Sequence, residues 1–118
     1  MTRTLRSVGF LLLLTLIAGC ERSRIDHVAL RAVVGTEPVV LLSAAWCGYC
    51  QKMRQDLTAW NVTFRELDVE TSSEGESAYR LLHARSIPVL LVNAQVQRGY
   101  AQDETRRLLR HAGLLPET

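Results

Sequence analysis

The sequence predicts an α/β domain. Three patterns point to it: a continuous apolar run at 39–45, a helical stripe that opens directly after it at Gly48, and two short β-prone segments followed by an amphipathic last helix. The elements follow in chain order. Ile25, Val28, Ala29, Ala32 and Val33 recur at helical spacing, with Asp26 near the start and Gly35 just after, which predicts a first short helix. Thr36-Glu37-Pro38 breaks the chain, and Val39 to Ala45 then reads as a central strand buried on both faces. From Gly48, the residues Cys50, Met53, Leu57 and Trp60 step by three, four and three along one helix face, and Asn61 ends it. Val62 to Val69 is β-prone. Ser73-Glu74-Gly75-Glu76 has the form of a capping box ahead of a helix carrying Ala78, Leu81 and Leu82. Ser86-Ile87-Pro88 closes that helix. Val89 to Val92 and Val96 to Arg98 are two strands joined through Asn93-Ala94-Gln95, and after Gly99 a last helix begins near Asp103, burying Leu108, Leu109 and Ala112. Arg106, Arg107, Arg110 and His111 lie toward its C-terminal half, where the helix dipole favours cations, and Gly113 and Pro116 mark the stop. The predicted order is α-β-α-β-α-β-β-α.

A chain of 118 residues holds one compact domain at most, and 47% hydrophobic content with only seven Gly and three Pro excludes disordered and collagen-like classes. The net charge of +2 is unevenly placed. Arg3 and Arg6 stand in the first nineteen residues with no acid; taking them from fourteen basic groups leaves twelve, against twelve acidic ones in the rest. The main body is therefore neutral, without the basic face that nucleic acid requires.

The N-terminus reads as an address. Two arginines lie within Thr2 to Ser7, Val8 to Ala18 is apolar apart from Gly9 and Thr15, and small residues precede Cys20. That apolar stretch spans about 16 Å as a helix, short of the ~30 Å hydrocarbon layer, so residues 1–19 are expected to be a signal peptide and not a membrane span. Ile17-Ala18-Gly19-Cys20 resembles the lipobox of bacterial lipoproteins. The resemblance implies cleavage before Cys20, lipid attachment to its sulfur, a linker over 20–24 and a domain over 25–118. The alternative is an ordinary signal peptide with a chance cysteine near its end. Several acyl chains anchor stably where one is marginal. Glu21 follows the cysteine in place of the Asp associated with inner-membrane retention, so the expected site is the bacterial cell envelope, facing the periplasm, with the outer membrane preferred.

Cys47 and Cys50 remain, spaced C-x-x-C after a buried-strand pattern and at the first turn of a helix. There, unpaired backbone N–H groups and the positive dipole end stabilise a thiolate on Cys47, the candidate nucleophile. Cys50, on nearly the same side one turn deeper, can resolve a mixed disulfide, so the pair would cycle between dithiol and Cys47–Cys50 disulfide. Two other roles compete. A structural disulfide here closes too small a loop to constrain the unfolded chain much. A zinc site needs about four ligands, and His27, His83 and His111 show no ligand spacing, so no metal is expected and these histidines read as surface or helix-end residues.

Ala45-Trp46-Cys47-Gly48-Tyr49-Cys50 at a strand-to-helix junction, with Ile87-Pro88 opening a later strand and Gly99 closing the hairpin, resembles the thioredoxin superfamily over Val39 to Ala112. The resemblance implies a thioredoxin-like fold, a central mixed four-stranded sheet flanked by helices. It also implies a cis Ile87-Pro88 bond beside the cysteines, with the Ile87 backbone pairing to substrate; a plain strand-initiating proline is the alternative. Trp46 would be a flat wall of the binding groove, or else a core tryptophan.

The chain departs from the superfamily pattern. Leu41 stands where thioredoxins place a buried Asp, Glu66 where Lys is common, and Gly48-Tyr49 where Gly-Pro is typical. Glu66 is either a solvent-facing strand residue or a desolvated proton acceptor for Cys50, its pKa raised by burial. The expected activity is thiol-disulfide exchange on proteins carrying disulfides or thiols. The reducing direction is slightly favoured, and the protein is expected to be a monomer with a membrane redox partner and no cofactor. A Cu(I)-binding module using the two thiols and a glutathione-dependent, glutaredoxin-like enzyme are the alternatives.

Overall fold

In the computed structural model, residues 24–117 are described, so the signal peptide expected over 1–19 and the lipid attachment expected at Cys20 lie outside the described residues. Eight elements follow the predicted order: α1 (His27–Val34), β1 (Val39–Ser43), α2 (Gly48–Ala59), β2 (Arg65–Asp68), α3 (Ser73–Leu81), β3 (Val89–Val92), β4 (Gln95–Arg98) and α4 (Gln102–His111). They build one mixed sheet of order β2-β1-β3-β4, parallel between β1 and β2 and antiparallel elsewhere. This is the thioredoxin-like architecture.

The apolar run of β1 is buried on both faces because the sheet is covered on both. Val40 and Leu42 point with Leu91 and Val89 toward α1 and α3, where Leu30, Val34, Ala78 and Leu82 complete one core. Val39 and Leu41 point with Val92 and Leu90 the other way, onto Met53 and Leu57 of α2 and Leu108 and Leu109 of α4. Every side chain in β1 is buried, so the strand is packed on both faces, and the segment leaving its C-terminal end starts from a fixed point.

Several boundaries differ from expectation for local reasons. The strand expected to reach Ala45 stops at Ser43, because the Ala44 carbonyl turns to accept the Cys47 N–H at 3.1 Å and so starts the loop into α2. The strand expected from Val62 is confined to Arg65–Asp68. Val62 instead closes the end of α2, donating its N–H to the Leu57 carbonyl at 2.9 Å, with Asn61 at a left-handed φ of 55°. The capping box over Ser73 to Glu76 lies one residue too late. Ser72 is the N-cap, its hydroxyl accepting the Gly75 N–H at 3.1 Å. This places Gly75 where a Cβ would sit 2.2 Å from the Asp68 carbonyl oxygen, a contact that only glycine tolerates. On α3 Leu81 is half-buried, and the side chain sealing the core there is Leu82. The last helix starts at Gln102 with no side-chain cap; its N-terminal half is tied down through Thr105, whose hydroxyl donates to the Gln97 side chain at 2.9 Å.

Candidate active site

Cys47 is the N-cap of α2, with extended backbone angles and its Sγ accepting the N–H of Cys50 at 3.1 Å. The sulfur therefore occupies the place that a capping oxygen would take, facing the first free amides of a twelve-residue helix. A negative charge on it would be stabilised by the same N–H and by the helix dipole. Cys47 and Cys50 are joined in a disulfide with Cα atoms 5.2 Å apart. Their accessibilities separate the roles: Cys47 retains 7% of its surface and Cys50 none, so only the first can meet an incoming disulfide.

Ala44 and the two cysteines form a small cluster against which Ile87 packs. The Ile87–Pro88 peptide is cis, and Pro88 leads into β3 with its carbonyl accepting the Gly99 N–H at 2.8 Å. Beside this cluster runs a groove of about 520 Å³ lined by Trp46, Glu70, Tyr79, Arg85, Ser86 and Ile87, among others. Trp46 is 71% exposed, so it is a groove wall and not a core residue. Its indole N–H donates to Glu70 Oε1 at 2.8 Å. On the other side of Cys47 the exposed Tyr49 ring stacks on Tyr100 with centroids 5.9 Å apart, and the Lys52 ammonium lies 5.1 Å from the Tyr49 centroid. Tyr100 is held by a 2.7 Å hydrogen bond to Asp56, whose carboxylate raises the Tyr100 pKa.

Of the two readings of Glu66, the desolvated proton acceptor is corrected. Its carboxylate accepts both Nε and Nη2 of Arg54 and the Ser43 hydroxyl at 2.7 Å. The Arg54 hydrogen bonds hold its carboxyl below the usual range, against an opposing burial effect. A carboxylate kept ionised by a cation is the reverse of a desolvated acceptor with a raised pKa. The side chain is partly exposed and serves to brace β2 against α2.

A depressed carboxylate pKa contributes stability above the unfolded-state value, and this contribution is lost as pH falls through the folded one. Glu66→Gln is therefore expected to destabilise by about 1 kcal/mol at neutral pH, a value already discounted for solvent screening of a partly exposed pair. The difference should shrink as pH falls below the ordinary carboxylate range and vanish in denaturant titrations run below the depressed folded-state pKa of Glu66. A penalty undiminished by acid would show that the ion pair is not its source.

Glu70, Arg85, Tyr100 and Asp56 escaped the sequence reading. Arg85 stands just before Ser86-Ile87-Pro88 and could have been flagged by that position. The other three are brought in from separate loops and helices, with no spacing that announces them.

A mixed four-stranded sheet, a helix-capping cysteine paired three residues on and a cis Ile-Pro peptide packed nearby define a member of the thioredoxin superfamily. Within it the chain belongs to the glutaredoxin family, whose profile matches residues 39–97, half of the chain. Glutaredoxin-C1 of Arabidopsis thaliana is 40% identical over 45 residues, which are 38% of this chain and 36% of that protein; the match thus spans about a third of the relative's length. The crystal structure of a buckwheat glutaredoxin–glutathione complex is 18% identical, with a TM-score of 0.60 over 75% of this chain and 94% of that one. The glutaredoxin-like NrdH-redoxin of Escherichia coli, described as having a thioredoxin-like activity profile, is 19% identical, with a TM-score of 0.56 over 68% and 97%. At these identities the two structures share the fold.

Proposed function

We propose that the protein is a thiol-disulfide oxidoreductase acting on protein disulfides in the periplasm, with the reducing direction favoured. The observation that carries this is the Cys47 sulfur in the N-cap position of α2, accepting the Cys50 N–H. In the reduced protein the Cys47 thiolate attacks one sulfur of a substrate disulfide, forming a mixed disulfide and releasing the other substrate sulfur as a thiolate that takes up a proton. Cys50 then loses its proton and attacks the Cys47 sulfur. The second substrate thiol leaves, and the Cys47–Cys50 disulfide holds the two electrons' worth of oxidation. Resolution is fast because Cys50 is held within a turn of its target. Ile87 and Trp46 border the approach to Cys47 and would align the substrate backbone and side chains.

Regeneration needs an external thiol. A membrane redox partner is one source. Glutathione is the second, favoured by membership in the glutaredoxin family and by the buckwheat relative solved with glutathione. Arg85 adds a cation to the groove that suits a carboxylate-bearing thiol. Reduction of insulin disulfides tests the activity: turnover with dithiothreitol is expected, and its absence would refute it. Turnover that requires glutathione and glutathione reductase assigns glutathione as donor.

The cellular place belongs to the same proposal. Arg3 and Arg6, the apolar stretch and Ile17-Ala18-Gly19-Cys20 support export and lipid attachment at Cys20. Among the described residues no helix is long and apolar enough to cross a membrane. Labelled palmitate is expected in the wild type and not in Cys20→Ala; equal labelling would defeat the anchor.

A further inference from the structure

We infer that Glu70 is a positioning residue, which acts through Trp46 to fix one wall of the substrate groove. The inference rests on the oxidoreductase reading. Trp46 precedes the nucleophile and is 71% exposed, so packing contributes little to holding its ring. A large indole in water occupies several rotamers, and each one other than the groove-lining rotamer lowers the fraction of protein ready to bind. The indole N–H is instead tied to Glu70 Oε1 at 2.8 Å, and both residues line the same groove with Ile87 and Arg85.

The acceptor itself sits on a stiff mount. Asp68, the last residue of β2, accepts the N–H groups of Glu70 at 2.8 Å and Thr71 at 3.0 Å through one carboxylate oxygen. The Val69 N–H donates to the Ser43 carbonyl at 2.9 Å. Those N–H groups, Glu70 first, hold the Asp68 carboxyl below its usual range, and the Ala45 N–H adds to the effect. The loop after β2 is thus braced to the loop after β1 that carries Trp46 and Cys47. Glu70 hydrogen-bonds to Trp46 and Asp68 and to neither cysteine, so its effect passes through the indole.

An acceptor role differs from a charge role in what glutamine does, since Gln retains a side-chain oxygen for the indole N–H and loses the charge. In steady-state reduction of insulin by the full-length chain, Glu70→Ala is expected to raise KM about three- to tenfold with little change in kcat, the range of one exposed hydrogen bond. Glu70→Gln should restore KM to near the wild-type value. In a Trp46→Phe background, Glu70→Ala should add no further loss.

An unchanged KM in Glu70→Ala, equal impairment of Glu70→Gln, or full additivity with Trp46→Phe would each overturn the inference. A readout independent of turnover is the fluorescence anisotropy decay of Trp46 in a Trp60→Phe background. Freer indole rotation in Glu70→Ala but not in Glu70→Gln supports the positioning role, and equal rotation in both refutes it. Failure of the wild type to reduce any disulfide would instead refute the oxidoreductase reading.

Discussion

Replacing Cys47 by Ser should lower disulfide-reducing turnover by at least about three orders of magnitude, because a hydroxyl in the same cap position stays protonated and cannot attack sulfur. Cys50→Ser should behave differently. Its Cys47 still attacks, but nothing resolves the product, so the protein should accumulate as a mixed disulfide visible on non-reducing gels and released by dithiothreitol. The asymmetry follows from the 7% accessibility of Cys47 and the complete burial of Cys50. It also requires that Cys47 ionise readily, since its sulfur already accepts the Cys50 N–H at the helix N-terminus. Alkylation rates of the reduced protein against pH should give a Cys47 pKa below about 8.5, the value of an unperturbed thiol. Full turnover in Cys47→Ser, or an ordinary thiol titration, would remove the proposed mechanism.

Gly75→Ala should destabilise the domain by about 1–3 kcal/mol, although it replaces a helical glycine by the best helix former. Helix propensity alone predicts a gain of up to about 1 kcal/mol. The structure reverses the sign, because the new Cβ would lie 2.2 Å from the Asp68 carbonyl oxygen and 2.7 Å from its carbon, and backbone cannot swing aside as a flexible side chain would. Relief demands that α3 move away from the end of β2. That shift would also disturb Asp68 and the turn that mounts Glu70, so KM should rise along with the loss of stability. Chemical denaturation with insulin kinetics at a temperature where the variant is folded checks both. A variant as stable as the wild type would show that α3 adjusts without cost.

Elements whose signals are local were legible in the amino-acid sequence. The doubly buried character of β1 is written in its apolar run Val39 to Leu42, and the stripe of Cys50, Met53 and Leu57 is written in its spacing. Both cysteines were legible because capping geometry needs only the strand-to-helix junction and an interval of three residues. Ile87–Pro88 was legible through resemblance, and the cis peptide agrees with it.

Tertiary structure decided the rest, wherever the partner is far along the chain. Glu66 is set by Arg54 from α2 and Ser43 from β1, and these decide between its two readings in favour of a partly exposed, ionised strand carboxylate. Trp46 meets Glu70 across 24 residues, and Tyr100 meets Asp56 across 44. Ser72 rather than Ser73 caps α3, because Gly75 has to face the Asp68 carbonyl. Hydrophobic periodicity and caps act within a turn or a strand and leave their mark in neighbouring letters. The charge state of a carboxylate and the seat of an exposed indole depend on which distant group arrives within about 3 Å, and only the folded sheet brings those groups together.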